Sequence, residues 1–156
     1  MHPNVARVAA AAARHGLELD HRSYPDGTRT ATDAAAAIGC EVAQIVKSLV
    51  FLLDGRPVMA LVAGNNRLDE GRLAAALGGG AVARADADAV REATGYAIGG
   101  VPPFGHTTCL PTAVDEDLLD LPVVWAAAGT PRDVFPLDPA DLVRACGGVV
   151  ASLRQD

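Results

Sequence analysis

The chain has 156 residues, half of them hydrophobic and about a fifth charged, and its formal net charge is −6. This length suits one domain with its own core and needs no disulfide or metal support. The acidic balance excludes a protein that binds long nucleic acid through a basic surface alone, and no apolar run reaches the roughly 18 to 20 residues that cross a bilayer.

The first part of the chain predicts a helix, a strand and a second helix. Residues 4–15 predict a helix with Asn4 as N-cap and Gly16 just beyond its end. Because Arg7 and Arg14 interrupt this alanine-rich stretch, it is unlike a signal peptide, and we expect a cytoplasmic protein. A partly alternating strand follows over 17–24, and the second helix begins at Thr30 or Thr32 and ends at Gly39.

A β-hairpin is the strongest local prediction. Residues 45–53 and 57–64 are two apolar runs rich in β-branched residues, and Asp54-Gly55 lies between them. Asp-Gly suits a type I′ turn because both central positions of that turn need positive φ.

The remaining chain predicts alternating helices and short strands. Asp69 caps a helix that ends near Gly78, and Asp86 caps another that runs to about Ala93. Asp138, with Pro139 at N1, begins the last helix. Strands are expected near 81–84, 108–114, 123–128, 133–136 and in the final VVASL. The resulting fold class is mixed α/β, with about seven strands and four to five helices in one domain over 1–156.

Cysteines and histidines give no sign of a metal centre. Cys40, Cys109 and Cys146 are widely separated, and we expect them to be buried small side chains. The four histidines lack HxH or HExxH spacing. We therefore expect no metal and no cofactor.

Lys47 is the first candidate for a functional residue. It is the only lysine beside twelve arginines, and it lies in the most apolar predicted strand. A buried ammonium needs a partner or access to solvent, so Lys47 should point into a cleft where it can meet an anion such as phosphate. The alternative is a lysine at a strand end that reaches the surface or pairs with a carboxylate. Ser48 faces the opposite side of the sheet.

A second candidate is the loop Gly99-Gly100-Val101-Pro102-Pro103-Phe104-Gly105-His106. Its glycines permit unusual φ and its prolines stiffen the backbone. The N–H groups of Gly99, Gly100, Val101 and positions after Pro103 could therefore receive a carbonyl or phosphate oxygen. A rigid structural turn is the alternative. His106 is a candidate general base by residue type. Further polar residues that could line a pocket are Thr30, Ser48, Asn65, Asn66, Thr107 and Thr108.

Several common catalytic signatures are absent. The sequence contains no GxSxG, no phosphate-binding GxxxxGK[ST] and no GxGxxG. It therefore gives no local signal for serine-dependent acyl transfer, nucleotide hydrolysis or dinucleotide binding.

Five stretches follow one another along the chain: TATDAAAAIG (30–39), EVAQIVKSLVF (41–51), PVMALVAGNNRLD (57–69), TGYAIGGVPPFGH (94–106) and VVWAAAGTPRDVFPL (123–137). In this order they resemble the YbaK/ProX family of aminoacyl-tRNA deacylases, which also occurs as the editing insertion of bacterial prolyl-tRNA synthetases. The resemblance spans about residues 17–150. It implies a mixed α/β domain with a curved, barrel-like sheet.

The resemblance also implies a function and a site. Lys47 matches the family lysine thought to bind the phosphate of the terminal adenosine of tRNA, and the segment from Gly99 to Pro103 fits the GxxxP loop whose amides position the ester carbonyl. Water attacks with help from the adenosine 2′-hydroxyl, so no protein nucleophile is required. The remaining implied substrate-binding residues are Thr30, Ser48, Pro102, Pro103, Gly105, His106, Ala128 and Gly129.

Two departures from the sequence of the YbaK branch leave open which amino acid is removed from the tRNA. Residues 127–130 read Ala-Ala-Gly-Thr without the Ser-Gly-Gly of the YbaK branch, and Ser48 replaces a threonine. Alanine, cysteine, serine and threonine esters are all compatible, with tRNA for proline as the expected carrier. The expected partner is the tRNA 3′ end, with prolyl-tRNA synthetase or an elongation factor helping to hold it.

Two other functions compete with trans-editing hydrolysis. The first is a binding module that keeps the pocket but has lost turnover and recruits tRNA or a synthetase. The second is a small-molecule esterase or amidase, which needs a nucleophile and base that the sequence does not supply.

Overall fold

The computed structural model describes all 156 residues. Five α-helices span Pro3–Ala13 (α1), Ala31–Ile38 (α2), Glu70–Ala76 (α3), Ala87–Thr94 (α4) and Pro139–Cys146 (α5). Eight strands span Arg22–Ser23 (β1), Val46–Leu53 (β2), Arg56–Ala63 (β3), Val82–Arg84 (β4), Thr112–Asp115 (β5), Val124–Ala127 (β6), Asp133–Leu137 (β7) and Val149–Ala151 (β8). Short 3₁₀ helices lie at Val42–Gln44 and Glu116–Asp120.

Helix starts follow the capping residues of the sequence. At α2 to α5, the side-chain oxygen of the N-cap residue accepts a hydrogen bond from a backbone N–H of the first turn. These N-cap residues are, in order, Thr30, Asp69, Asp86 and Asp138. The first helix is the exception to the prediction. Its N-cap is His2, whose ring nitrogen accepts the Asn4 N–H, because Pro3 has no N–H and suits the first helical position.

The predicted hairpin is confirmed. Asp54 has φ +51° and Gly55 has φ +80°, as a type I′ turn requires. All eight residues of β2 pair with β3 in antiparallel register, from Val46 with Ala63 to Leu53 with Arg56.

The mixed α/β class is confirmed, but the expectation of one barrel-like sheet of about seven strands is wrong. The eight strands form two sheets, in the order β1-β7-β6 and β4-β2-β3-β5-β8. The larger sheet is mixed, because β3–β5 and β5–β8 pairs are parallel and the others are antiparallel. The two sheets meet at one isolated bridge, Ile45 with Trp125, beyond which β2 and β6 form no ladder that would close a barrel.

The five-stranded sheet is covered on both faces. One face packs with α1, α4, α5 and the smaller sheet in the main core. The other packs against α3 and Leu153. Residues 58–63 of β3 are consequently all buried, which explains why the sequence of this strand is a continuous apolar run.

Two local predictions fail. The strand predicted over 17–24 is reduced to β1, because only Arg22 and Ser23 pair with β7, while Leu17 and Leu19 pack against the core without a ladder. The expectation of buried cysteines also fails, since Cys40 and Cys146 are only half-buried and Cys109 is exposed. No helix is both long and apolar enough to span a membrane.

Candidate functional site

A cleft of about 740 Å³ opens where the two sheets separate. On one edge β2 is paired with β3 along its whole length, but on its other edge β4 pairs only with residues 51–53. Residues 47–50 therefore have no strand on that side. This open edge forms one wall of the cleft, and β6, the start of α2 and the loop at 98–101 form the others.

The fold brings together five of the twelve residues proposed from the sequence. Those lining the cleft are Thr30, Lys47, Ser48, Gly99 and Val101. The other seven do not line it: Gly100, Pro102, Pro103, Gly105, His106, Ala128 and Gly129.

Lys47 is half-buried near the beginning of β2, and its ammonium donates a hydrogen bond to the backbone carbonyl of Asn66. Burial, and then the nearby guanidinium of Arg67, lower the pKa of Lys47, while the carboxylate of Asp115 opposes the shift. Because its only protein hydrogen bond is to a neutral carbonyl, no carboxylate is paired with the ammonium, and it has further N–H donors for a ligand.

Ser48 points to the opposite face of β2, and its hydroxyl is buried without a hydrogen-bond partner. Its backbone faces the open edge. The Asp54 N–H donates to the Ala81 carbonyl, on the side of β2 where β4 lies. Every second residue of an antiparallel strand directs its backbone groups to the same side. The N–H and C=O groups of Ser48 and Val50 therefore point to the β4 side as well. The cleft wall thus carries unsatisfied polar groups that a ligand can use.

The loop after α4 presents two free amides. Gly99 has φ +90°, and neither its N–H nor that of Val101 has a protein acceptor. The Gly100 N–H instead donates to the Ala97 carbonyl at 3.0 Å. A Cβ on Gly100 would lie 2.8 Å from the Thr130 backbone, so this second glycine is required for packing.

His106 lies behind this loop. Its Nε2 is 2.6 Å from the Pro102 carbonyl, and the Tyr96 hydroxyl donates to the Gly105 carbonyl at 2.9 Å. The Arg7 guanidinium stacks 4.5 Å from the Tyr96 ring centre. Burial lowers the pKa of His106, and the bond to Pro102 offsets part of the shift. This geometry makes His106 a support of the loop rather than a group facing the cleft.

The segment after the tryptophan strand packs away from the cleft. Ala128 is fully buried, and the Gly129 carbonyl accepts from the Asn4 amide of α1 at 3.0 Å. Ala127, which precedes them, lines the cleft instead. The chain leaves the cleft wall here, because β6 ends at Ala127.

Three arginines at the cleft were not predicted as site residues from the sequence. Arg29, Arg67 and Arg84 line it together with Lys47, and Glu70 is the only carboxylate among the lining residues. All three arginines are exposed and form no ion pair. Because they come from three separate segments, no local sequence pattern could have grouped them.

A mixed α/β fold with a cation-rich cleft is typical of a domain that takes an anionic ligand. Residues 25–145 match the family of aminoacyl-tRNA editing domains, and the chain belongs to that family. No group of three or more His, Cys, Asp or Glu side chains is placed to hold a metal ion.

Similar proteins are known as structures and as sequences. The chain is 47% identical to a candidate trans-editing enzyme for prolyl-tRNA synthetase, with a TM-score of 0.93 over 100% of this chain and 99% of that one. It is 35% identical to the proline–tRNA ligase of Geobacter sp. (strain M21) over 64% of this chain, which is 17% of the ligase. It is also 29% identical to the uncharacterised protein YwhH of Bacillus subtilis (strain 168), over 80% of each chain.

Proposed function

We propose that the protein is a trans-editing hydrolase that removes a small amino acid from mischarged aminoacyl-tRNA, with tRNA for proline as the carrier. The observation that carries this proposal is one cleft containing both a lysine ammonium and two unpaired backbone amides. Membership of the editing-domain family and similarity to a candidate trans-editing enzyme support it.

In this proposal Lys47 anchors the phosphate of the terminal adenosine. A compact ammonium with free N–H donors suits a phosphate oxygen. The neutral carbonyl of Asn66 holds the ammonium without cancelling its charge. Anchoring the phosphate fixes the adenosine, and with it the ester, relative to the loop.

The amides of Gly99 and Val101 hold the ester carbonyl. As water adds to the carbonyl carbon, charge develops on the carbonyl oxygen, and fixed N–H donors stabilise it. The ester C–O bond then breaks, and the ribose 3′-oxygen leaves with a proton. The neighbouring 2′-hydroxyl of the substrate assists the water, so the reaction requires no protein nucleophile.

Selectivity for the amino acid is assigned to the wall around Ser48. The backbone N–H and C=O groups at the open edge of β2 offer hydrogen bonds to a small polar group or to the α-ammonium, and the buried Ser48 hydroxyl lies directly behind them. Alanine, cysteine, serine and threonine esters remain the proposed substrates, because one methylene or hydroxyl changes discrimination by only about 1 to 3 kcal/mol in such pockets.

The charge of the cleft supports an RNA ligand. Four cations and one carboxylate line it, although the whole chain carries −6. Arg84 pairs with Phe51, four residues or about 13 Å along β2 from Lys47, so the cations are spread along the cleft instead of meeting at one point. A chain of phosphates, as in the single-stranded 3′ end of tRNA, can contact both Lys47 and Arg84.

The acidic remainder of the surface limits binding to this local contact. Affinity for free tRNA is therefore expected to be weak, and prolyl-tRNA synthetase or an elongation factor is proposed to help hold the substrate. Tight binding to any RNA regardless of its end would contradict this part of the proposal.

The deciding experiment follows ester loss from tRNA for proline charged separately with alanine, cysteine, serine and threonine. Hydrolysis of at least one ester, above the rate with Lys47→Ala, is expected. If no ester is hydrolysed faster than with Lys47→Ala, the proposal that the protein is an enzyme is refuted. If the charged ends still bound, the protein would be a binding module of the same fold.

A further inference from the structure

A hydrogen-bonded network lies next to Lys47, and its central residues Asn66, Asp115 and Asp117 do not themselves line the cleft. It links the turn after β3 to the end of β5 and to the segment 152–156. We propose that Asn66 is a positioning residue: Asp115 and Asp117 lock its side chain, and its backbone carbonyl in turn aims the ammonium of Lys47 into the cleft. This proposal concerns how the site is built and rests on the proposed function only for the identity of the anion.

The sheet order places these groups together. Lys47 pairs with Val62 on β3, and Leu61 pairs with Val114 on β5. The end of β3 and the end of β5 therefore lie side by side, one strand away from Lys47. The turn at 64–66 leaves β3 at this point and brings the Asn66 carbonyl to the ammonium.

Both donors of the Asn66 amide are used. Its Nδ2 donates to Asp115 at 2.9 Å and to Asp117 at 2.8 Å. The Asn66 backbone N–H also donates to the Ala63 carbonyl at 2.9 Å. Side chain and backbone are thus held from different directions, which leaves the carbonyl little freedom to rotate away from Lys47.

Asp115 is an unusual anchor because its residue is fully buried and no cation contacts it. It accepts three N–H groups instead, from Ala63 at 3.1 Å, from Asn66, and from Asp117 at 3.0 Å. Burying a carboxylate in this way is costly unless its hydrogen bonds are complete. The arrangement holds a negative charge close to Lys47 without a direct ion pair.

The second carboxylate is neutralised from outside. Arg154 contacts both oxygens of Asp117 at 3.1 and 3.3 Å, so two carboxylates can share one amide without strong repulsion. The same segment fixes the turn itself, because the Gln155 N–H donates to the Arg67 carbonyl at 2.8 Å.

A neutral positioning group has a chemical advantage over a carboxylate. A carboxylate hydrogen-bonded directly to Lys47 would compete with an incoming phosphate for the ammonium. The Asn66 carbonyl sets its direction while most of the positive charge remains available. Asp115 adds a favourable field, and it opposes the lowering of the Lys47 pKa by burial and by Arg67.

Because Lys47 is the only lysine, protein grown with isotope-labelled lysine gives a single side-chain NMR signal that needs no assignment. Asn66→Ala is compared with Asn65→Ala, a matched control whose side chain is exposed and makes no hydrogen bond. In Asn66→Ala we expect the Lys47 side chain to become more mobile and its pKa to rise towards the ordinary value of 10.5, because the released ammonium moves into solvent. Affinity for adenosine 5′-monophosphate, read from the same signal, should fall about tenfold. Asn65→Ala should match the wild type in Lys47 mobility, in Lys47 pKa and in affinity for adenosine 5′-monophosphate.

If Asn66→Ala does not fold, Asp117→Ala is measured in its place. The Asp117 side chain is 36% exposed, and its removal should move the Lys47 signal in the same direction by less. If the folded Asn66→Ala and Asp117→Ala variants show the same Lys47 mobility and pKa as Asn65→Ala, the positioning role of Asn66 is overturned. If the wild-type signal did not respond to adenosine 5′-monophosphate, but the variants still shifted its pKa and mobility, the phosphate assignment would fail while the positioning role stood.

Discussion

Replacing Lys47 by methionine separates a role in activity from a role in stability. Methionine keeps an unbranched side chain of similar length and removes the charge. The ammonium is half-buried and has one protein hydrogen bond, to a carbonyl, so its loss leaves no carboxylate unpaired. We expect the free energy of unfolding to stay equal or to rise, because replacing a partly desolvated charge by an apolar group is often neutral or stabilising.

The expected loss of activity follows from the contact with phosphate. A charged hydrogen bond contributes about 1.5 to 3 kcal/mol, and the Coulomb attraction at about 4 Å with an effective dielectric constant of 20 sets an upper bound near 4 kcal/mol. A loss of about 2 to 3 kcal/mol corresponds to a decrease of roughly 30- to 150-fold in kcat/KM. Lys47→Arg should recover only part of it, because a planar guanidinium does not reproduce the ammonium contact to Asn66.

The assay is single-turnover deacylation of tRNA for proline charged with the ester that the wild type removes fastest. Thermal unfolding of each variant provides the control for folding. A methionine variant that stays folded and hydrolyses the ester at the wild-type rate would refute the role of Lys47. A variant that unfolds would show instead that the lysine has a structural role.

Three other changes test the cleft and its supporting loop. Arg84→Ala should reduce by about 0.7 the steepness with which log affinity for a single-stranded RNA ending in CCA falls against log salt concentration. Arg56→Ala, at an exposed residue outside the cleft, should leave this slope unchanged. Equal slopes for the two variants would mean that Arg84 does not contact a phosphate. For His106, burial lowers the pKa in the folded state, so the unfolded chain takes up the proton first and stability falls as pH drops below about 6.5. His106→Gln, which can still donate to Pro102, should lose less stability in denaturant titrations between pH 7.5 and 5.5, and an identical pH dependence would contradict this reasoning. Gly100→Ala should destabilise the fold by about 1 to 3 kcal/mol through overpacking, and an unchanged unfolding midpoint would show that the loop simply moves.

Local structure was largely predictable because its causes are local. The Asp54-Gly55 turn and the helix caps depend on backbone conformation and on side chains a few residues apart, and these appear where they were expected. The first helix and the strand at 17–24 depart from prediction because Pro3 favoured His2 as the cap, and because a strand exists only where a partner pairs with it.

Part of the candidate site was also visible in the sequence. A lone lysine in an apolar strand and a loop rich in glycine and proline are conspicuous by composition, and both reach the cleft through Lys47, Gly99 and Val101. The roles proposed for the other loop residues remain predictions. In the fold, Gly100 is committed to packing, and His106 lies behind the loop.

Short-range signals were readable from the chain alone: one conspicuous lysine, one stiff loop, and alternating elements typical of a mixed α/β domain. Tertiary packing separates the sheets after the bridge between Ile45 and Trp125 and leaves the open edge that makes the cleft. It also decides which arginines surround the cleft and that Asp115 lies close to Lys47. These relations join residues tens of positions apart, and long-range packing brings them together without leaving a periodic trace in the chain.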